Sequence, residues 1–120
     1  MITGVHHVQL AVPPGSEDRL RAFYGGVLGL EEIPKPPELA KRGGAWFRGP
    51  GVELHLGVEP GFRPARKAHP GLLVDDLDAL AARLRAAGHD VRPDELFPGH
   101  HRFYADDPVG NRLEFLRPSG

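Results

Sequence analysis

The chain has no cysteine, one methionine, one tryptophan and a net charge of only −1 over 120 residues. Without thiols there is no disulfide framework, no zinc-thiolate site and no cysteine nucleophile, so any metal has to be held by imidazole and carboxylate. No apolar run approaches the ~20 residues that a membrane-spanning helix needs. The opening Met1-Ile-Thr-Gly4 lacks the basic start and apolar core of a secretory signal, which makes the cytoplasm the expected compartment. The 15 basic residues are scattered among 16 acidic ones, so no stripe suited to nucleic acid or to a membrane surface is present. What the chain does have is 16 glycines and 13 prolines, which cut it into short elements. Its 40% hydrophobic and 26% charged residues are those of an ordinary globular protein, sized for a single domain over residues 1–120 with one modest core.

Two short stretches repeat each other. His7-Val-Gln-Leu-Ala-Val12 is echoed by His69-Pro-Gly-Leu-Leu-Val74, and Val52-Glu53-Leu54 by Leu113-Glu114-Phe115. His7 precedes Glu53 by 46 residues and His69 precedes Glu114 by 45. A chain made of one half twice, with a histidine and a carboxylate in each, predicts a pseudo-twofold site where two His and two Glu converge.

The pattern around these residues is that of strands and amphipathic helices. Residues 5–12 alternate, with Val8, Leu10 and Val12 on one face and His7, Gln9 and Ala11 on the other. Pro13-Pro14-Gly15 ends that strand. Ser16 is positioned to cap a helix whose apolar residues Leu20, Phe23, Tyr24 and Val27 recur at helical spacing, and Gly25-Gly26 and Gly29 should fray or stop it. Strands are expected near 31–34, 45–48 and 52–58. The second half repeats the order: a strand at 71–74, a helix capped by Asp75-Asp76 with Leu77, Leu80, Ala81 and Leu84 on one side, a stop at Gly88, then strands near 90–92, 102–105 and 112–116. Asp106-Asp107-Pro-Val-Gly110-Asn111 reads as the tight turn before the last strand. Each half is thus βαβββ, module 1 over about residues 5–60 and module 2 over about 67–117. Halves of ~60 residues are marginal alone, so they should share a core or exchange with a partner chain.

Strand parity places all four suspected ligands opposite an aliphatic stripe. His7 opposes Val8, Leu10 and Val12; His69 opposes Leu72 and Val74; Glu53 opposes Val52, Leu54 and Leu56; Glu114 opposes Leu113 and Phe115. Two carboxylates in one cleft repel unless a proton or a cation neutralises them, and a divalent metal is the simplest neutraliser. A set of two His and two Glu suits Zn, Ni, Co, Mn or Fe(II). His6 falls at the frayed start of the first strand. His55, on the same face as Glu53, reads either as a substitute ligand or as a partner behind the metal ligands. His100-His101, in the Pro98-Gly99 loop, read as pocket-rim or simply exposed residues. Trp46, His55, His101 and Arg102 make up the candidate substrate pocket, and Arg63, Arg66, Lys67, His100, His101 and Arg102 are sources of positive potential for an anionic small-molecule substrate.

Together these motifs resemble the vicinal oxygen chelate superfamily, which includes glyoxalase I, bleomycin-resistance proteins, fosfomycin thiol transferases and extradiol dioxygenases. The resemblance is carried by His7-Val-Gln-Leu-Ala-Val, Phe23-Tyr24 with Leu28-Gly29-Leu30, His69 leading into Leu73-Val74-Asp75-Asp76-Leu77, and Asp107-Pro-Val-Gly-Asn-Arg-Leu-Glu114-Phe, and it spans residues 5–117. It implies an α+β fold in which paired βαβββ modules form a cup-shaped mixed sheet around a divalent metal, commonly completed across a homodimer interface. It also implies His7, Glu53, His69 and Glu114 as metal ligands, with Glu114, or its pseudo-symmetric counterpart Glu53, as catalytic base. The activity implied is that of a glyoxalase I-like lyase or isomerase acting through a chelated enediolate. An extradiol-type dioxygenase using His7, His69 and Glu114 around Fe(II), and a non-catalytic drug-binding protein, are the alternatives. The chain departs from glyoxalase I at Ala11, where that enzyme has an arginine contacting glutathione, and at Gly57, where it has an asparagine. These departures point away from a glutathione adduct as substrate.

Overall fold

The period-two runs fold as strands and the period-3.6 runs as helices. The computed structural model describes residues 1–120. The first half contains β1 (Val8–Val12), α1 (Glu17–Leu20) continuing into a π-helical segment (Arg21–Val27), β2 (Glu31–Ile33), α2 (Pro37–Ala40), β3 (Ala45–Gly49) and β4 (Val52–Val58). The second contains β5 (Gly71–Leu73), α3 (Leu77–Ala86), β6 (Arg92–Asp94), β7 (His100–Asp106) and β8 (Arg112–Pro118). The chain divides into two compact units, Met1–Pro64 and Ala65–Gly120. Each has one four-stranded mixed sheet, ordered β1-β4-β3-β2 in the first and β5-β8-β7-β6 in the second. In both, the unit's first strand runs parallel to its last and the remaining pairs are antiparallel. The fold is α+β, built as βαβββ twice. No helix is long and apolar enough to cross a membrane.

In the first unit Val12, Leu20, Phe23, Tyr24, Phe47, Leu54 and Leu56 are all essentially inaccessible to solvent. Gly25-Gly26 does not end the helix as expected. The backbone loosens there, and Leu28 N–H reaches back five residues to Phe23 C=O at 2.9 Å. Ser16 stands at the N-cap position but does not cap; its hydroxyl donates to Pro13 C=O at 2.7 Å. The α2 turn has no counterpart among the expected elements. It starts at Pro36-Pro37, whose preset φ suits a first helical turn.

In the second unit Leu77, Ala81 and Leu84 bury one face of α3, and Phe103, Ala105, Leu113 and Phe115 bury one face of the sheet. Asp76 caps α3 by accepting from Ala79 N–H at 3.0 Å. At the other end Gly88, with φ +88°, permits the paired closure His89 N–H to Leu84 C=O and Gly88 N–H to Arg85 C=O. The strand expected near 90–92 lies at 92–94; it is an edge strand, where Pro93 costs no ladder hydrogen bond. β7 begins at His100, so His100 and His101 belong to a strand opposite Pro118 and Arg117 instead of a loop. The turn at 107–111 is closed by the Asp107 carboxylate, which accepts from Val109 and Asn111 N–H at 3.0 and 2.9 Å.

Two ties to the 43–44 turn generate predictions. At Gly44, φ is +81° and an added Cβ would stand 2.0 Å from the Leu56 carbonyl oxygen, whereas at Gly61, φ +70°, it would meet open space. Gly44→Ala should therefore cost at least ~2 kcal/mol, strain and backbone displacement together, against ~1 kcal/mol for Gly61→Ala. Urea denaturation of the two variants checks the ranking. Glu17 accepts from Gly44 N–H at 2.9 Å, and that hydrogen bond, with its own backbone N–H and the charges of Arg21 and Lys35 against opposition from burial, holds its carboxyl below the ordinary 4.5. A depressed carboxylate stabilises fully above its unfolded pKa and loses that stability as pH falls through the folded value. Glu17→Ala should cost ~1–2 kcal/mol at pH 7. The gap to the parent protein should close as the pH is lowered from 4.5 to 3, and a gap independent of pH would show that charge plays no part.

Candidate functional site

β4 and β8 are interior strands of their sheets, and each carries core residues on one face and ionisable residues on the other. Leu54 and Leu56 are buried on β4 while Glu53 and His55 point the opposite way; Leu113 and Phe115 are buried on β8 with Glu114 opposite. The parity read from the sequence therefore holds at both carboxylates, and each unit sets a histidine against its glutamate.

In the second unit His69 lies between two oxygens. Its Nδ1 is 2.7 Å from Lys67 C=O and its Nε2 is 2.8 Å from Glu114 Oε1. A carbonyl can only accept, so Nδ1 must carry a proton and donate. In the neutral ring this leaves the Nε2 lone pair facing a carboxylate oxygen. Two acceptors at that distance are reconciled only by a cation between them, either a proton on Nε2 or a metal ion. An Nδ1–H held by a backbone carbonyl is also the arrangement that orients a metal-ligating histidine. His69 and Glu114 thus offer two donors of the kind that a divalent ion takes.

The other Glu114 oxygen accepts from Arg102 Nη1 at 3.1 Å, and Arg102 Nε donates to Asp94 at 2.9 Å. Burial pushes the Glu114 carboxyl up, but the hydrogen bonds from His69 and Arg102 outweigh it and the net direction is down. Desolvation works against the Arg102 charge as well; its bonds to Asp94 and Glu114 prevail and raise its pKa. The guanidinium also lies 5.3 and 5.2 Å from the ring centroids of Phe97 and Tyr104.

The first unit differs in detail. Glu53 Oε2 accepts from His55 Nε2 at 2.7 Å, and Arg48 Nε stands 3.5 Å from Oε1. The His55 hydrogen bond, ahead of an opposing burial effect and the Arg48 charge, lowers the Glu53 pKa. His55 is 4% exposed. Its ring is stacked on Trp46 (centroids 3.9 Å apart) and on His7 (4.0 Å), so the imidazole is sandwiched. His7 is exposed and shares a 2.9 Å Nδ1–Nδ1 contact with His6; both precede β1, which begins at Val8 and not at residue 5 as expected.

Glu114 and His69 pair with each other, Glu53 pairs with His55, and His7 reaches Glu53 only by way of His55. No group of three or more His, Asp or Glu side chains has metal-holding geometry. Of the expected pocket residues, Trp46 and His55 lie with Glu53, and Arg102 lies with Glu114. His101 lies apart, on a cleft of about 660 Å³ in the second unit that is also lined by Asp75, Asp94, Phe97 and Arg102 but by neither His69 nor Glu114. Arg63, Arg66 and Lys67 are exposed. Sequence reasoning did not single out Arg48, Asp94 or Tyr104, whose ring packs edge-on against His69 at 5.5 Å. The signal available was alternation: Phe47 and Phe103 are core, so Trp46, Arg48, Arg102 and Tyr104 had to face the other way.

Residues 4–115 match the Glyoxalase/Bleomycin resistance protein/Dioxygenase superfamily, and the chain belongs to it. Members generally use a divalent metal and bind small-molecule substrates or antibiotics. Among solved structures, the chain is similar to a putative glyoxalase family protein from Bacillus anthracis, with 48% identity, coverage of 99% of this chain and 98% of that one, and a TM-score of 0.95. It shares its fold with the antibiotic-binding protein TnmS3 from Streptomyces sp. CB03234 (24% identity, 99% and 100% coverage, TM-score 0.72). The same holds for the fosfomycin resistance protein FosX from Mesorhizobium loti (19% identity, 99% and 95% coverage, TM-score 0.74). No curated protein matches the chain.

Proposed function

We propose that this protein is a divalent-metal-dependent, glyoxalase I-like lyase or isomerase of a small oxygenated compound. His7, Glu53, His69 and Glu114 would supply the donors. The observation that carries the reading is His69, whose Nδ1–H is committed to Lys67 C=O while Nε2 faces Glu114 Oε1 at 2.8 Å. A divalent ion, when bound, supplies Lewis acidity toward two adjacent oxygens of the substrate and acidifies the neighbouring C–H.

The remaining steps belong to the chain's own groups. Glu114, held ionised by His69 and Arg102, accepts the proton from that carbon and returns it to the adjacent one. Arg102, itself fixed by Asp94, keeps the carboxylate plane in place as the proton arrives. Glu53 is the pseudo-symmetric alternative base. Two departures from glyoxalase I support a substrate other than a glutathione adduct. Ala11 and Gly57 are partners in the β1–β4 ladder, so both missing polar side chains would have come from one patch of sheet. The Gln9 side chain crosses that patch, with Nε2 2.6 Å from where a Gly57 Cβ would be. An anionic substrate would be drawn by Arg63, Arg66 and Lys67, because Arg102 already has its charge matched by Asp94 and Glu114. A cytoplasmic homodimer completes the reading, and light scattering at micromolar concentration tests the dimer.

Protein purified without chelator should contain a divalent metal by elemental analysis, and His69→Ala should weaken its binding by ~100-fold or more. Glu114→Gln should slow solvent-deuterium exchange at the carbon α to the carbonyl of α-hydroxycarbonyl compounds by roughly 10²–10⁴-fold. Absence of any divalent-ion uptake by the native protein would favour a binding protein over an enzyme. Oxygen consumption with catechols after anaerobic Fe(II) loading, without proton exchange, would replace the lyase by an extradiol-type dioxygenase.

A further inference from the structure

We infer that the cleft beside the start of α3 binds a small amphoteric molecule, one with a free ammonium group and a free carboxylate on an apolar body, as in an amino acid or a short peptide. Every residue lining this cleft belongs to the second unit, and neither His69 nor Glu114 is among them.

Strand register places the cleft. β5 runs parallel to β8 with Leu73 opposite Leu116, and Val74 N–H donates to Leu116 C=O at 3.0 Å. The chain therefore enters α3 at the end of the sheet where β8 finishes. His101 lies opposite Arg117 at that same end. Alternation gives both residues the face of Phe103 and Phe115, which is the buried face, yet His101 and Arg117 are themselves exposed. The hydrophobic layer ends there, and charged side chains border the space beyond it.

The loop over residues 95–99, between β6 and β7, forms a further wall and is tied down. Asp94 accepts from Leu96 N–H at 2.9 Å, Ser119 N–H donates to Gly99 C=O at 2.9 Å, and the Phe97 ring stacks on His100 with centroids 4.1 Å apart. The cleft is thus preformed. Its volume of about 660 Å³ falls within the range of small-molecule sites, roughly 300–1,000 Å³.

The walls carry both signs of charge. Asp75 and Asp78 stand at the start of α3 and Glu95 on the loop; Arg85 lies two turns along α3 from Asp78, and His101 and Arg117 lie on the strand ends. None of these six side chains takes part in an ion pair or a side-chain hydrogen bond. Asp76 and Asp94 are by contrast already engaged, by Ala79 N–H and by Arg102. A simple cation in the cleft would meet Arg85 and Arg117, and a simple anion would meet three carboxylates. A molecule with both charges finds a partner for each. Leu77, Ala81 and Phe103 add the apolar surface that its body would cover.

Titration of the ¹⁵N-labelled full chain with the dipeptide leucyl-leucine, followed by amide chemical shifts, tests the site. Saturable shifts are expected at residues 75–78, 95–101 and 117, with residues 69 and 114 unmoved. Acetylating the dipeptide's amine, or converting its carboxyl to an amide, should each weaken binding ~5-fold or more. Arg117→Ala should abolish the penalty for the amide, Arg117→Lys should retain part of it, and Asp78→Asn should reduce the penalty for the acetylated form. Equal affinity for free and blocked dipeptides, shifts centred on residues 69 and 114, or no saturable shift at millimolar concentration would each overturn the inference.

Discussion

A carboxylate 7% exposed in the middle of an interior strand is the constraint around which the second unit is arranged. Glu114 cannot be buried there as an unmatched anion, because desolvation of a charge costs several kcal/mol in practice. Both its oxygens are accordingly engaged, one by His69 and one by Arg102, and Arg102 needs a second anion, Asp94, to share its own charge. Asp94 lies on the edge strand β6, Arg102 on β7 and Glu114 on β8, so the polar chain crosses three adjacent strands. The ladder that aligns Asp94 with Arg102 makes the first of these contacts geometrically cheap. Hydrophobic burial sets the opposite face of the same strands, but it is the satisfaction of Glu114 that dictates which residues face away from the core.

The first unit meets a milder version of the same demand and solves it differently. The Glu53 side chain is 16% exposed, and its partners are a histidine two residues along the strand and a more distant arginine on the neighbouring one. Where the second unit has a run of ion pairs, the first has stacked rings, Trp46 on His55 on His7. Stacking orients an imidazole without adding charge. The two halves share strand order and parity while differing in what holds the ionisable side chain at the centre of each sheet.

Much of this was legible in the chain. Alternation in 52–58 and 112–116, together with the repeat, is enough to give the βαβββ succession of each half and to place Glu53 and Glu114 opposite the aliphatic stripe. Where expectation failed, local sequence was competing with a longer-range constraint. Gly25-Gly26 reads as a helix stop, yet Phe23 and Tyr24 are buried, and the helix accommodates the glycines by widening. His100-His101 follows Pro98-Gly99 and reads as loop, but pairing with Arg117 and Pro118 extends β7 over both. The partner of His7 is the most instructive case. Spacing along the chain sets it against Glu53, whereas in the structure its ring stacks on His55, and side-chain stacking is not encoded in a residue count.

Register also explains why the departures from glyoxalase I occur together. Ala11 and Gly57 are opposite each other across β1 and β4, two positions along from the Gln9–His55 pair. Any large side chain at either position would stand on the same sheet face as Gln9, and Gln9 already crosses the place that a Gly57 side chain would need. A long cationic residue at 11 and an amide at 57 would therefore have to displace Gln9 as a set, so the change of one favours the change of the others. The result is a stretch of sheet beside His55 in which the Gln9 amide lies over the place that a side chain at 57 would take.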